Sequence, residues 1–279
     1  AEDLAILGEA LLPNSIADDL TSDTYLLLSP HRELHAIPWA ALQPGFTPEL
    51  LANLCVPAVI PSLQNLMVIW KRNTVEITPG REDGLAVGLS TFGGKRQDLP
   101  QVQSEIASLR SRLGPKGMCL AEEDATWENV LRIAKGSAEG LSRFAWLHIA
   151  SHFFSHPQMG RLSGLTLWDG DVWLDTLRDL GPMPALVTIS ACNSISSFIH
   201  EGDEHVDLPS VCLAAGADSG VGSLWGILDQ AAGGVSGGFY SHYLSGLRPA
   251  NAVVQTQRRL IARGKPVSHW AGFISIGAP

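Results

Sequence analysis

Two short apolar runs end on residues that could do acyl-transfer chemistry together. FAWLHI at 144–149 leads into Ala150, Ser151 and His152, and LVTIS at 186–190 leads into Ala191 and Cys192. Each run is too short and too apolar to be a solvated helix, so both read as buried strands. If the strands are neighbours, an imidazole and a thiol meet above the sheet. A free cysteine thiol is mostly protonated at neutral pH, and an imidazole beside it can take that proton and stabilise the thiolate. The chemistry implied is attack by Cys192 on a carbonyl carbon, with His152 as the proton-transfer partner.

The rest of the chain has to supply a sheet for those strand ends. Strand-length apolar runs recur at 25–28, 85–89, 220–225 and 273–276, the second after the turn-forming stretch 79–84. Helical patterns fall between them. At 101–113, Val102, Ile106, Leu109 and Leu113 form one apolar stripe, with Glu105 and Arg110 expected outside it. At 127–134, Thr126 is a suitable N-cap, and Val130, Ile133 and Ala134 would face the sheet. Residues 61–70 read as a helix with Pro61 in its first turn, 31–42 as a loop with a short helix, and 208–215, 230–245 and 250–262 as further helices. Exposed loops are expected at 156–163 and 199–207. Such alternation predicts an α/β sandwich with a mostly parallel sheet and helices on both faces, and functional groups collect at the carboxyl ends of such strands.

Bulk properties narrow the classes. The 279 residues suit one large domain or two tightly joined lobes. Apolar residues make up 45% and charged ones 17%, and the mean hydropathy is +0.12, which implies an extensive core. A net charge of -9 with no basic cluster argues against nucleic acid or an anionic membrane as a direct partner. No uninterrupted apolar window reaches 18 residues, and the opening AEDLAILGEALLPNSIADDL is acidic, unlike a basic leader. Cys55, Cys119, Cys192 and Cys212 are scattered and lack CxxC spacing, so neither a disulfide framework nor a thiolate zinc site is expected, and a reducing cytoplasm fits.

His152 precedes Cys192 by 40 residues; a histidine about 50 residues ahead of an Ala-Cys pair is the caspase arrangement, and further segments extend the likeness. These are LLLSPHRELHAIPWAAL, LPQVQSEIASL, EEDATWENVL, LHIASH, LVTISAC, LAAGADSGVGSLWGILDQAA and SHWAGFISIG, in that order along the chain. On these motifs the chain resembles a CHAT domain, the caspase-like peptidase module often attached to tetratricopeptide repeats. The resemblance implies a caspase-like three-layer sandwich forming one domain over 1–279, with a pseudo-lobe at 1–115 and the dyad-bearing lobe at 116–279. It implies that the second histidine of HxxxH and the cysteine of SAC, here His152 and Cys192, form the dyad. It also implies that the backbone amides of Phe153 and Cys192 hold the oxyanion, and that no cofactor or metal is required. Two sites depart from the family pattern: Phe153 stands where glycine is usual, and Asn193-Ser194-Ile195 stands where Glu-Thr-Gly is usual.

Each remaining candidate carries two readings. Ser190 would flank the pocket for the residue before the scissile bond, or be a strand-end serine satisfied by backbone. Ser223 and Trp225, within 222–225, would form an edge for an extended peptide, or belong to an interior strand with a core tryptophan. Asp229, and less so Asp218, could place negative charge near the pocket, or be solvated or capping carboxylates. The acidic loop 201–207 could gate access or stay in water. His148, His152 and His156 could ligate a metal if helical, but the preceding strand favours an orienting His148 and a loop His156.

The function expected is therefore cysteine endopeptidase action on a protein substrate. By resemblance, the domain belongs to a larger bacterial protein controlled by a sensor domain or repeat region, in cis or in trans. A cytoplasmic role in stress or antiviral defence, including CRISPR-linked defence, follows from resemblance alone. The alternative is a catalytically weak scaffold that binds a partner protein, favoured by Phe153 and Asn193. A serine hydrolase lacks its G-x-S-x-G elbow, since GADSG at 216–220 has the wrong spacing.

Overall fold

The structure, a computed structural model, describes residues 2–72, 83–156, 162–191, 194–195, 198–199, 205–226 and 229–279. Helix α1 (Glu2–Leu11) precedes β1 (Tyr25–Leu28), and a short α2 (Leu51–Leu54) leads into β2 (Val56–Val59) and α3 (Leu63–Arg72). Then come β3 (Gly84–Gly88), α4 (Pro100–Arg110), β4 (Met118–Ala121), α5 (Trp127–Lys135) and β5 (Trp146–Ala150). Short strands β6 (Phe153–Phe154), β7 (Gly164–Leu167) and β8 (Gly170–Trp173) precede β9 (Leu186–Ser190). The remainder is β10 (Phe198–Ile199), β11 (His205–Val206), α6 (Leu208–Ala214), β12 (Ser219–Ser223), α7 (Asp229–Leu244), α8 (Pro249–Ala262) and β13 (Phe273–Gly277).

Eight strands form one sheet in the order β1-β2-β13-β12-β9-β5-β3-β4. Neighbours are parallel except β12 and β13, which are antiparallel, so the expected parallel-dominated sheet is what the chain forms. Alternate strand residues point to opposite faces, which divides the core into two layers. Leu85, Val87, Leu147, Ile149, Val187 and Ile189 meet α3, α5 and α6 through Leu66, Ile69, Val130, Ile133, Cys212 and Leu213. Ala86, Trp146, Ala150, Leu186 and Val221 meet α4, α7 and α8 through Val102, Ile106, Leu109, Phe239, Tyr240 and Val253. Segments 1–115 and 116–279 share this sheet: β3 lies between β4 and β5, and β2 lies beside β13.

Local signals account for most boundaries. Thr126 caps α5 by accepting from Asn129 N at 3.0 Å, and the Asp169 carboxylate accepts from Trp127 N and Glu128 N at 2.8 and 3.3 Å. A cap of this kind contributes about 1 kcal/mol. Helix α3 starts later than the proline signal implies: Ser62 accepts from Asn65 N at 3.1 Å, and Pro61 lies before the helix. Strand β2 was hidden by Pro57, which cannot donate to a ladder. It is tolerated because β13 meets β2 only at Val59. The largest correction concerns Glu105, expected on the outer side of its helix and found 6% exposed on the sheet side. Among the described residues no helix is long and apolar enough to cross a membrane.

Candidate active site

Strands β5 and β9 are parallel neighbours in full register, and the last pair is Ala150 with Ser190. His152 follows that pair by two residues at the carboxyl end of the sheet, and in sequence Cys192 stands two residues after Ser190. Cys192 and Asn193 lie outside the described residues. The His152 ring rests on Phe92, with ring centroids 4.5 Å apart. Its Nε2 lies 2.7 Å from the Gln97 carbonyl oxygen, which can only accept, so Nε2 carries the hydrogen. In the neutral ring the lone pair is then on Nδ1.

The chain beyond residue 193 folds back over the sheet. Ile195 N donates to Ser223 O at 3.0 Å, and Ser223 N donates to Ser194 Oγ at 2.9 Å. Gly222 makes that approach possible, because a Cβ there would stand 2.7 Å from Ser194 Oγ and 3.0 Å from Ile195 Cγ1. These contacts correct the open-edge reading of Ser223 and Trp225. Strand β12 is interior, flanked by β13 and β9, and its backbone beyond Val221 is taken by Ser194 and Ile195. Ser223 Oγ donates to Trp225 O at 2.5 Å, Leu224 N donates to Gly272 O at 2.8 Å, and Trp225 Nε1 donates to Ser268 O at 3.1 Å.

Phe153 opens β6, which pairs antiparallel with β7. Thr166 N donates to His152 O at 3.0 Å, which makes His152 and Thr166 the hydrogen-bonded pair. By the antiparallel alternation, Phe153 and Leu165 form the non-bonded pair, and the Phe153 N–H points away from β7. Among the described residues only Arg32 and Glu122 are non-glycines with positive φ. The extended backbone at Phe153 therefore makes no demand for glycine.

Beneath the strand ends runs a buried polar chain that the sequence reading did not connect. Tyr240 OH lies 2.5 Å from Thr188 Oγ1, and Thr188 Oγ1 lies 2.8 Å from His148 Nδ1. His148 Nε2 stands 3.3 Å from Glu105 Oε1, within ion-pair distance but not aligned as a hydrogen bond. Ser190 Oγ donates to Glu105 Oε2 at 3.0 Å. Ser190 is thus tied to a side chain, in place of the backbone satisfaction its bland reading assumed. Burial pushes the Tyr240 phenol well above its ordinary range, so it stays a donor. Two signals could have revealed the chain: Glu105 falls three residues after Val102 and four before Leu109, on the buried stripe, and His148 and Thr188 are both flanked by apolar strand residues.

Other candidates disperse. The three histidines do not converge: His148 belongs to the buried chain, His152 faces Phe92 and Gln97, and His156 N donates to Ser163 Oγ at 3.0 Å. Among the described residues no group of three His, Cys, Asp or Glu could hold a metal ion. Asp218 is buried, not solvated, and precedes β12 at the amino end of the sheet, opposite His152, which removes it from the pocket. Asp229 begins α7, and its side chain lies outside the described part, as do residues 200–204 of the acidic loop. The loop expected at 199–207 holds paired β10 and β11, and Asp207 is fully buried as the cap of α6, accepting from Ser210 N at 2.6 Å.

Burial pushes the thiols of Cys55 and Cys212 up to about 12, with the Asp207 charge adding to the effect at Cys212. Neither can supply a thiolate at neutral pH. Iodoacetamide at pH 7 is therefore expected to leave both unmodified in the folded chain and to label both in denaturant, read by peptide mapping. Labelling of either at its denatured rate would refute this assignment.

A parallel-dominated sheet between two helical layers, with a histidine presented past one central strand, defines a caspase-like α/β fold of the peptidase type. The chain belongs to the CHAT domain family, whose model matches residues 2–278. Solved structures share the fold at low identity. The separase of Saccharomyces cerevisiae, solved with securin, aligns with TM-score 0.64 and 16% identity over 91% of this chain. The alignment spans 16% of that separase chain. RgpB of Porphyromonas gingivalis, solved as a complex of pro- and mature domains, aligns with TM-score 0.60 and 12% identity over 100% of this chain and 69% of its own. Gingipain R, described as an Arg-specific cysteine proteinase, aligns with TM-score 0.58 and 10% identity over 92% of this chain and 63% of its own. No curated protein matches the sequence.

Proposed function

We propose that the chain is a cysteine endopeptidase acting through Cys192 and His152. Cys192 gives its thiol proton to His152 Nδ1 as the sulfur attacks the scissile carbonyl carbon. The carbonyl oxygen becomes an oxyanion held by the Phe153 and Cys192 backbone amides. Collapse of the tetrahedral intermediate breaks the C–N bond, and the imidazolium protonates the departing amine. Water then attacks the thioester, giving a proton to His152, and the carboxylic acid leaves as the thiol is restored.

The observation carrying this reading is the register of β5 and β9, which brings Ala150 and Ser190 side by side two residues before the dyad positions. The Gln97 carbonyl adds to it by holding the ring with Nδ1 free for the thiol proton. Ser190, tied to Glu105, is placed in this reading beside the residue preceding the scissile bond, with Asp229 farther along the substrate path. The domain is regulated by a sensor or repeat region, in cis or in trans, within a cytoplasmic bacterial defence or stress response.

The test is incubation of the purified chain with a diverse peptide library, with products identified by mass spectrometry and Cys192→Ala as control. Cleavage confined to the unmodified chain is expected. Absent cleavage, together with a Cys192 that iodoacetamide labels no faster than in denaturant, would favour the partner-binding scaffold.

A further inference from the structure

His152 takes its orientation from a loop, and a residue outside the dyad holds that loop. Residues 90–99 leave the end of β3 and return to the start of α4, and Leu99 N donates to Ser90 O at 2.8 Å to close the base. Within the loop, Phe92 N donates to Asp98 Oδ1 at 2.9 Å and Lys95 N donates to Phe92 O at 3.1 Å. Gly93 and Gly94 make the turn at φ 58° and 79°, backbone that glycine adopts freely. One limb brings the Phe92 ring to His152, and the other brings the Gln97 carbonyl.

Strands β3 and β4 are parallel in register through Gly88 and Ala121, which sets Glu122 beside the first residues of this loop. Glu122 Oε1 accepts from Ser90 N at 3.2 Å and from Ser90 Oγ at 2.5 Å, and Oε2 accepts from Thr91 N at 3.3 Å. Its own backbone lies at φ 49°, the left-handed region that a residue of this size rarely takes. Such strain persists only where the surroundings over-determine it. Here three donors converging on one carboxylate hold it in place, and glycine, the residue without strain at that φ, could not receive them.

We infer that Glu122 is a positioning residue for His152, acting through Ser90 and Thr91 on the limbs that carry Phe92 and Gln97. The kinetic part of this inference rests on His152 being the proton-transfer group, whereas its effect on ring orientation does not. Glu122→Gln keeps the side-chain shape but replaces an acceptor oxygen with an NH2, which must then face a backbone N–H or a hydroxyl. Glu122→Gly keeps the left-handed backbone without strain and removes the carboxylate.

The experiment records long-range 1H–15N spectra of the histidine rings at mildly alkaline pH, with His152 assigned through His152→Gln. The parent chain is expected to hold His152 as the Nε2–H tautomer, and both variants to show a mixture of tautomers with unchanged circular dichroism. On a peptide substrate, kcat/KM should fall on the order of 10²-fold in the variants with KM little changed, the scale of a misplaced catalytic group. A folded variant that keeps the parent tautomer overturns the inference. So does unfolding of both variants, which would make Glu122 a general structural residue. If the parent chain cleaves nothing, the peptidase reading falls while the ring spectra still decide the role of Glu122.

Discussion

Cys192→Ala is expected to bring peptide cleavage down to the uncatalysed background, and His152→Ala to lower kcat/KM by about 10²–10⁴-fold, the usual contribution of a positioned proton-transfer group. The asymmetry follows from the roles: without sulfur no thioester forms, whereas without the imidazole a small thiolate fraction still attacks. The two losses should not add. A chain lacking both groups should be no slower than Cys192→Ala alone, because residues acting as one unit are not independent. Stability should barely change, since His152 follows the last paired residue of β5, is half-buried, and its ring hydrogen bond goes to a loop carbonyl. The measurement is kcat/KM on one cleaved peptide beside a melting curve for each variant. Parent-like turnover in either single variant would remove the dyad.

The layout of the sheet was legible because its strands are apolar on both sides. Helices cover both faces, so LHIA and LVTIS have no solvated side and read as buried runs. Their adjacency was only a conjecture from sequence, and the register of β5 with β9 is a tertiary result. The N-cap at Thr126 was legible for a different reason: its signal is local, a hydroxyl three residues before the N–H it accepts from.

What escaped the sequence was set by partners far along the chain. Glu105 reads as an outer residue because a carboxylate on an amphipathic helix normally faces water. Its partners, His148 and Ser190, are 43 and 85 positions away, and only the assembled sheet brings them under α4. The edge reading of Ser223 and Trp225 failed for a like reason. A strand looks open until the neighbour that crosses over to cover it is known, and here Ser194 and Ile195 bond to Ser223 at the carboxyl end of β12. The strands β6, β7 and β8 have two to four residues each, too short for a periodic signal, and β7 pairs with β8 across the tight turn at 168–169. The Gln97 carbonyl was beyond any motif, because a backbone acceptor leaves no trace in residue type.

The buried chain from Tyr240 to Ser190 leads to the second large expected effect, this one on stability. Glu105→Ala removes the carboxylate from His148 Nε2 and Ser190 Oγ, on the face of the sheet packed by Val102, Ile106, Trp146 and Phe239. Removing an acceptor from beneath the sheet in this way costs about 1–3 kcal/mol, because the Ser190 hydroxyl loses its partner and the His148 ring its polar neighbour. In contrast, the bridge from Arg96 to Asp171 lies in water, with side chains 33% and 39% exposed, and Arg96→Ala should cost at most about 1 kcal/mol. Urea unfolding of both variants beside the parent chain measures the contrast, with the slope checked for constancy so that midpoints report stability. The expected order is a large drop for Glu105→Ala and nearly none for Arg96→Ala. Equal midpoints would mean that the Glu105 carboxylate finds no net stabilisation beneath the strand ends. His148 and Thr188 would then hold their places through packing alone, and Ser190 would lose its fixed partner without consequence for the fold.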